Sequence, residues 1–179
     1  MATLLSAHRL DTPIGRLVLL TCDDALAGLT FDEERLDALR AYLARWLGAV
    51  TIEPARGDVA PLRDLAAYFD GDVHAIDGVE TVPSGTPFQR EVWAALRTIS
   101  AAAPISYGEL ARRIGRPAAI RAVGAANGAN PVAIVVPCHR VIASDGSLHG
   151  YGGGIERKRW LLEHEARAVG RQRPLDLAP

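Results

Sequence analysis

An α+β fold in two parts is what this sequence predicts: a small N-terminal antiparallel sheet with helices over residues 1–82, then a mostly helical, winged helix-turn-helix-like domain over residues 83–170. Three observations carry that expectation. Short apolar runs broken by turn residues fill the first half. Apolar residues at helical spacing, each set behind an N-capping residue, fill the second. Charge then divides the two: residues 1–86 hold 7 Arg against 14 Asp and Glu, a net of −7, whereas residues 87–179 hold 13 Lys and Arg against 7 Asp and Glu, a net of +6. A basic second half suits contact with a polyanion, which the overall charge of −1 conceals. Two halves attracting one another is the plainer alternative.

Leu17–Leu20 and Leu26–Phe31 read as strands of an antiparallel meander, with turns at Pro13-Ile14-Gly15 and Cys22-Asp23-Asp24. Asp32 offers an N-cap, with Glu33 and Glu34 where the helix dipole favours them. Leu36, Leu39, Leu43, Trp46 and Leu47 follow at helical spacing, and Gly48 ends the run. A second helix is expected after Asp58, burying Val59, Leu62, Leu65, Ala66 and Phe69. Cys22, His8 and His74 lack any paired ligand spacing, so no metal is expected. Asp72–Gly85 reads as a linker. Thr86, Pro87 and Gln89 then form a capping box opening a helix that buries Val92, Leu96 and Ile99.

Ser106-Tyr107-Gly108-Glu109 repeats the capping-box pattern ahead of Leu110, Ala111 and Ile114. Gly115-Arg116 turns the chain, and Pro117 opens a second helix running to Asn127-Gly128. Two short helices about a tight glycine turn make a helix-turn-helix. The second is rich in Ala and Gly with one long charged residue, Arg121, so it either lies close against a surface or packs inside a core. Ser144–Ser147 is a turn and Tyr151-Gly152-Gly153-Gly154 a flexible loop. The last helix turns Trp160, Leu161, Leu162 and Val169 inward and leaves His164 at its surface. Residues 171–179 read as a disordered tail.

The chemistry gathers at Ile134–Ile142, two apolar runs that read as buried strand or extended chain with Cys138 where they meet. Alone, such a cysteine reads as a small core hydrophobe. Its neighbours argue otherwise: His139 can supply a base, and Arg140 adds charge that favours a thiolate. Because side chains alternate along an extended chain, His139 is expected to act on the thiol through a water. No apolar run reaches the roughly 18 residues of a membrane helix, Leu4-Leu5 is too short for a signal-peptide core, and two distant cysteines suit a reducing compartment, so a cytoplasmic protein is expected. Lysine occurs once, as Lys158, among 20 basic residues, which suits a GC-rich bacterial genome.

Pro137-Cys138-His139-Arg140 resembles the active-site signature of the O6-alkylguanine-DNA alkyltransferases. Gly85-Thr86-Pro87-Phe88-Gln89, Ser106-Tyr107-Gly108, Arg121-Ala122-Val123-Gly124, Asn130-Pro131, Gly150–Gly154 and Trp160–Glu165 stand in that family's order and spacing. The likeness is dense from Gly85 to Glu165 and thinner from Thr12 to Phe69. It implies single-turnover transfer of an alkyl group from O6-alkylguanine in double-stranded DNA, with O4-alkylthymine a second candidate lesion, by a monomer without cofactor. It implies Cys138 as nucleophile, His139 as its base through water, Glu165 orienting His139, Tyr107 bonding the leaving purine and Asn130 bracing the active-site turn. Val141, Tyr151, Gly152 and Gly153 would line the pocket. Tyr107, Ala119, Ile120, Arg121, Ala122, Gly124 and Arg140 would meet DNA, docked in the minor groove, with Arg121 replacing the flipped base. Ile120 stands where many relatives have alanine. Some relatives also hold a structural zinc, with more Cys and His than this chain offers. A helix-turn-helix regulator and a thiol hydrolase using Cys138, His139 and Glu165 are the competing classes; a hydrolase would turn over.

Overall fold

The computed structural model describes residues 2–55, 57–170 and 177, so the tail expected over 171–179 lies, Leu177 apart, outside the described residues. The chain divides into two compact units, Met1–Gly85 with Pro131–Val135, and Thr86–Asn130 with Val136–Pro179.

In the first unit, β1 (Thr3–Thr12), β2 (Gly15–Cys22) and β3 (Ala25–Thr30) form an antiparallel meander. A fourth strand, β4 (Val50–Pro54), pairs parallel with β1 and completes the order β3-β2-β1-β4. Neither β1 nor β4 stood out in the sequence, because β1 mixes Ser6, Arg9 and Asp11 among its apolar residues and turns only one face to the core. On that face Leu5, Ala7, Leu20 and Ala27 cluster with Val50 and with Leu43 of α1 (Leu36–Leu47). Cys22 packs against the same cluster. Gly28 brings α1 close, since a Cβ there would lie 2.9 Å from Leu39 Cδ2. Asp32 stands at the start of a 3-10 turn, Glu33–Arg35, without a side-chain cap bond. Trp46, expected inward, is 40% exposed.

Helix α2 (Ala60–Phe69) buries Pro61, Leu65 and Tyr68, so of the expected stripe only Leu65 is fully enclosed and Tyr68 supplies the bulk. Asp72–Gly85 is not a loose linker. Val73, Ile76 and Val79 are buried, Leu26 N–H donates to the Glu80 carbonyl (2.9 Å), and Val82 N–H donates to the Leu26 carbonyl (2.9 Å). Pro131–Val135 completes this unit, with Leu29 N–H donating to the Pro131 carbonyl at 2.7 Å.

The second unit holds α3 (Pro87–Leu96), α4 (Tyr107–Arg113), α5 (Ile120–Gly128) and α6 (Ile155–Ala168), with a short parallel pair, β5 (Ile105–Ser106) and β6 (Val141–Ile142). Both arms of the α3 capping box form: Thr86 N–H donates to Gln89 Oε1 at 2.8 Å, and Gln89 N–H to Thr86 Oγ1 at 3.2 Å. The second box is half made. Ser106 Oγ accepts from Glu109 N–H, but the Glu109 carboxylate turns outward to Arg112 (2.8 Å) and Arg113 (3.3 Å). Helix α5 begins three residues later than expected. Pro117 and Ala118 instead make a turn closed by Ala119 N–H on the Arg116 carbonyl (2.9 Å). Trp93 Nε1–H ties α3 to α5 by donating to the Ala126 carbonyl (2.8 Å). On α6, Leu161 and Leu162 are buried as expected, but Val169 lies past the helix end and is 46% exposed. His164 is buried rather than superficial, stacked on Trp160 with centroids 4.7 Å apart. Among the described residues no helix is long and apolar enough to cross a membrane, and no group of three His, Cys, Asp or Glu is placed to hold a metal ion.

Candidate active site

Of the stretch expected as buried strand or extended chain, Ile134–Ile142, only Val141–Ile142 is a strand. Ile134 adopts a left-handed backbone (φ 75°), and Cys138–Arg140 form a single 3-10 turn after Pro137. Three residues per turn fan successive side chains by roughly 120°, so Cys138, His139 and Arg140 face three directions rather than alternating. Two asparagines hold the turn. Asn130 Nδ2–H donates to the Val136 carbonyl (2.7 Å), which also accepts Cys138 N–H (2.8 Å), and Asn127 Nδ2–H donates to the Cys138 carbonyl (3.4 Å). Asn130 thus ties its own amide to the backbone just before Cys138. Asn127 was missed, because in sequence it is only the polar residue closing a helix.

His139 is completely buried, and its Nε2 lies 2.8 Å from Glu165 Oε1. A carboxylate only accepts, so Nε2 carries the hydrogen and the neutral ring keeps its lone pair on Nδ1. That Nδ1 is buried and accepts from no protein group. Burial pushes the His139 pKa down, and Glu165 only partly restores it, so the ring is neutral near neutral pH and its Nδ1 carries no proton.

Arg140 is a correction. Expected at DNA and beside the thiol, it is 3% exposed, and its Nε and Nη2 donate to Glu165 at 3.0 and 2.8 Å while Nη1 donates to the Ile99 carbonyl at 2.6 Å. Ala102 N–H adds a further bond to Glu165 Oε2 at 3.2 Å. Burial would push the Glu165 carboxyl up, but His139 and Arg140 outweigh it and hold it far below the usual range. The carboxylate is therefore charged throughout the neutral range, and its four donors hold it toward His139.

The Cys138 thiol is buried, which raises its pKa; Asn130 and the Lys158 ammonium act against that rise. Tyr107, the first residue of α4, is half-buried, and burial followed by the nearby Cys138 charge raises its pKa, so the phenol stays a donor. The Tyr151 phenol is raised well above its ordinary value, first by burial and then by the charges of Cys138 and Glu165. Val141 is buried next to the turn; Gly153 is buried and Gly152 exposed in the loop before α6. Lys158, in the charge run Glu156–Arg159, stood out in the sequence only as the single lysine and not as a site residue.

Helix α5 buries Val123, Ala126 and Asn127 and turns Ile120, Arg121, Ala122 and Ala125 to solvent, with Ala119 and Gly124 at the margins. The half-exposed face excludes the core-helix alternative. Ile120 is 47% exposed, and Arg121 has no ion-pair or hydrogen-bond partner among the described residues.

Residues 87–167 match the family described as 6-O-methylguanine DNA methyltransferase, DNA binding domain. A methylated-DNA–protein-cysteine methyltransferase of Salmonella typhimurium is 62% identical over 101 residues, which span 56% of this chain and 59% of that relative. One from Mycolicibacterium paratuberculosis is 45% identical over 157 residues, covering 88% of this chain and 90% of the relative. The crystal structure of Mycobacterium tuberculosis O6-methylguanine methyltransferase superposes with a TM-score of 0.74 at 41% identity, covering 96% of both chains, and that of Mycobacterium tuberculosis OGT in complex with DNA with 0.72 at 41%, covering 91% and 94%. A buried cysteine beside a neutral histidine locked onto a carboxylate thus sits in a fold shared along almost the whole length of the two Mycobacterium tuberculosis structures, and the chain belongs to the methylated-DNA–protein-cysteine methyltransferase family.

Proposed function

We propose that this protein repairs DNA by moving an alkyl group, chiefly methyl, from O6 of guanine to Cys138. His139 Nδ1 takes the thiol proton through a water. The thiolate attacks the alkyl carbon, the S–C bond forms as the C–O6 bond breaks, and the electron pair returns to the guanine ring. The base then gains the proton that the thiol lost, with Tyr107 as the hydrogen-bond donor that steadies the departing purine. Cys138 ends as an inert thioether, so each chain acts once. The observation that carries this reading is His139: a buried imidazole whose Nε2–H is fixed on Glu165 has only Nδ1 left to act as base.

The lesion lies inside the duplex, so it must be flipped out. Exposed Arg121, on a helix face otherwise made of small residues and Ile120, suits filling the gap from the minor groove. The substrate is duplex DNA met in the cytoplasm, and O4-alkylthymine is the second lesion to try. Mass spectrometry after mixing with excess O6-methylguanine duplex tests the reading. One methyl per chain, on Cys138, is expected. Continued turnover would make the protein a hydrolase, and a methyl on Cys22 would refute the assignment of the nucleophile.

A further inference from the structure

Lys158 is the only lysine of the chain, and it is fully buried on α6. Burial strips an ammonium of water and ordinarily drives it neutral unless something replaces that water. Here Nζ–H donates to the Val141 carbonyl at 2.7 Å and to the His149 carbonyl at 3.1 Å. An ammonium has three donors, and the third meets no protein acceptor among the described residues. Of the three carboxylates on its own helix, Glu165 is enclosed by His139 and Arg140 of the turn, Glu163 faces Arg167, and Glu156 is exposed to solvent. The His149 ring bonds Ser147 Oγ (2.8 Å), and Tyr151 stays protonated. The negative charge that acts on Lys158 is that of the Cys138 sulfur, which the turn ending at Val141 carries.

We propose that Lys158 is the counter-ion of the Cys138 thiolate, a positioning residue that ties the carbonyls of Val141 and His149 and sets a positive charge against the sulfur. The inference rests on the alkyl-transfer reading and assigns to Lys158 the part that sequence adjacency suggested for Arg140. Burial, partly opposed by Cys138, lowers its pKa to about 8, which leaves it charged at neutral pH. After transfer the sulfur is a neutral thioether, and the ammonium loses its counter-charge.

The test reads thiol ionisation by ultraviolet thiolate absorbance in wild-type, Lys158→Met and Lys158→Arg proteins, alongside the rate of transfer from free O6-alkylguanine base. An opposite charge nearby moves a titration by about 1–3 pH units, so the Lys158→Met midpoint should rise by that amount and Lys158→Arg should restore part of it. The neutral-pH rate of Lys158→Met should fall about 10-fold or more, since each unit is a tenfold change in thiolate. A slower variant with an unmoved midpoint would make Lys158 purely structural and overturn the proposal. A second measurement needs no lysine variant. Because the lysine is unique, selectively labelled lysine gives one NMR resonance, and its midpoint should fall in Cys138→Ala relative to wild type. Equal midpoints would overturn the proposal as well. Neither titration uses alkylated DNA, so failure to repair would refute the reaction while leaving the ion pair testable.

Discussion

Glu165→Gln changes one atom's chemistry at the centre of the buried cluster. The carboxylate accepts from His139 Nε2 (2.8 Å), Arg140 Nε and Nη2 (3.0 and 2.8 Å) and Ala102 N–H (3.2 Å), all donors. Glutamine keeps one acceptor oxygen and turns an NH2 toward donors, leaving the Arg140 charge buried and uncompensated. Breaking such a pair costs about 3–5 kcal/mol out of a total stability of roughly 5–15 kcal/mol, so the variant should fold with a lowered urea midpoint. The rate effect is separate. With His139 no longer fixed as the Nε2–H tautomer, transfer to Cys138 at neutral pH should slow by about 10²–10⁴-fold, the usual weight of a general base. Raising the pH toward the free-thiol value of about 8.5 supplies thiolate without a base and should recover part of the loss. Recovery stops short because Lys158 loses its charge near pH 8. The sign of the acid dependence follows from the depressed carboxyl. Its stabilisation is complete above the unfolded value of about 4.3 and is lost as pH falls toward the lower folded value, so the stability gap between wild type and variant should close only below about pH 4. Single-turnover transfer and urea unfolding, measured on the same samples from pH 3 to about 8.5, check both arms. A folded Glu165→Gln protein that transfers at the wild-type rate at pH 7 would refute the role given to Glu165.

Arg121→Ala should slow repair of paired duplex far more than transfer from free base, with a mispaired lesion rescued in part, because unstacking costs a few kcal/mol only where a base must be flipped; equal losses on all three substrates would place Arg121 in the pocket. Binding to undamaged duplexes should be nearly indifferent to sequence and fall steeply with salt, as measured by fluorescence anisotropy, since α5 offers little that can read a base edge. Gly28→Val should lower thermal stability by about 1–3 kcal/mol, the range for overpacking, because even a Cβ there lies 2.9 Å from Leu39. Transfer from free base at low temperature should be unchanged.

How much of the site was legible depended on whether a residue's part is written in its type or in its placement. Cys138, His139 and Glu165 carry their chemistry in their side chains, so type and motif single them out, and the fold brings His139 and Glu165 together. Arg140 misled because adjacency along the chain was taken as adjacency in space; a 3-10 turn sends it to Glu165 instead of to the thiol or to DNA. Lys158 was hidden for the opposite reason. Glu156-Arg157-Lys158-Arg159 looks like a solvated helix face, and only packing of α6 on the turn puts one of the four fully inside. In the first unit, the meander of β2 and β3 was plain from continuous apolar runs, but β1 shows just half a face of apolar side chains and β4 has five residues, too few for a period to emerge. Pro117 satisfied the rule for a first helical residue, yet the chain used it for a turn that delays α5 to Ile120.

The return of Pro131–Val135 to the first unit bears on synthesis by the ribosome. Strands β1 to β4 leave the exit tunnel early, but the segment that accepts Leu29 N–H is encoded more than forty residues after Gly85. At about 5–20 residues per second, the nascent first unit waits roughly 2–9 s for its last piece, unable to finish folding while α3, α4 and α5 are being made. Until then the Leu29 N–H lacks its Pro131 carbonyl, and the first unit lacks the buried Ala133 and Ile134 side chains that complete it. A stalled chain ending near residue 130 should therefore be more protease-sensitive in its first 85 residues than one ending well beyond residue 135, and the vulnerability is written into the order of the gene rather than into the folded state.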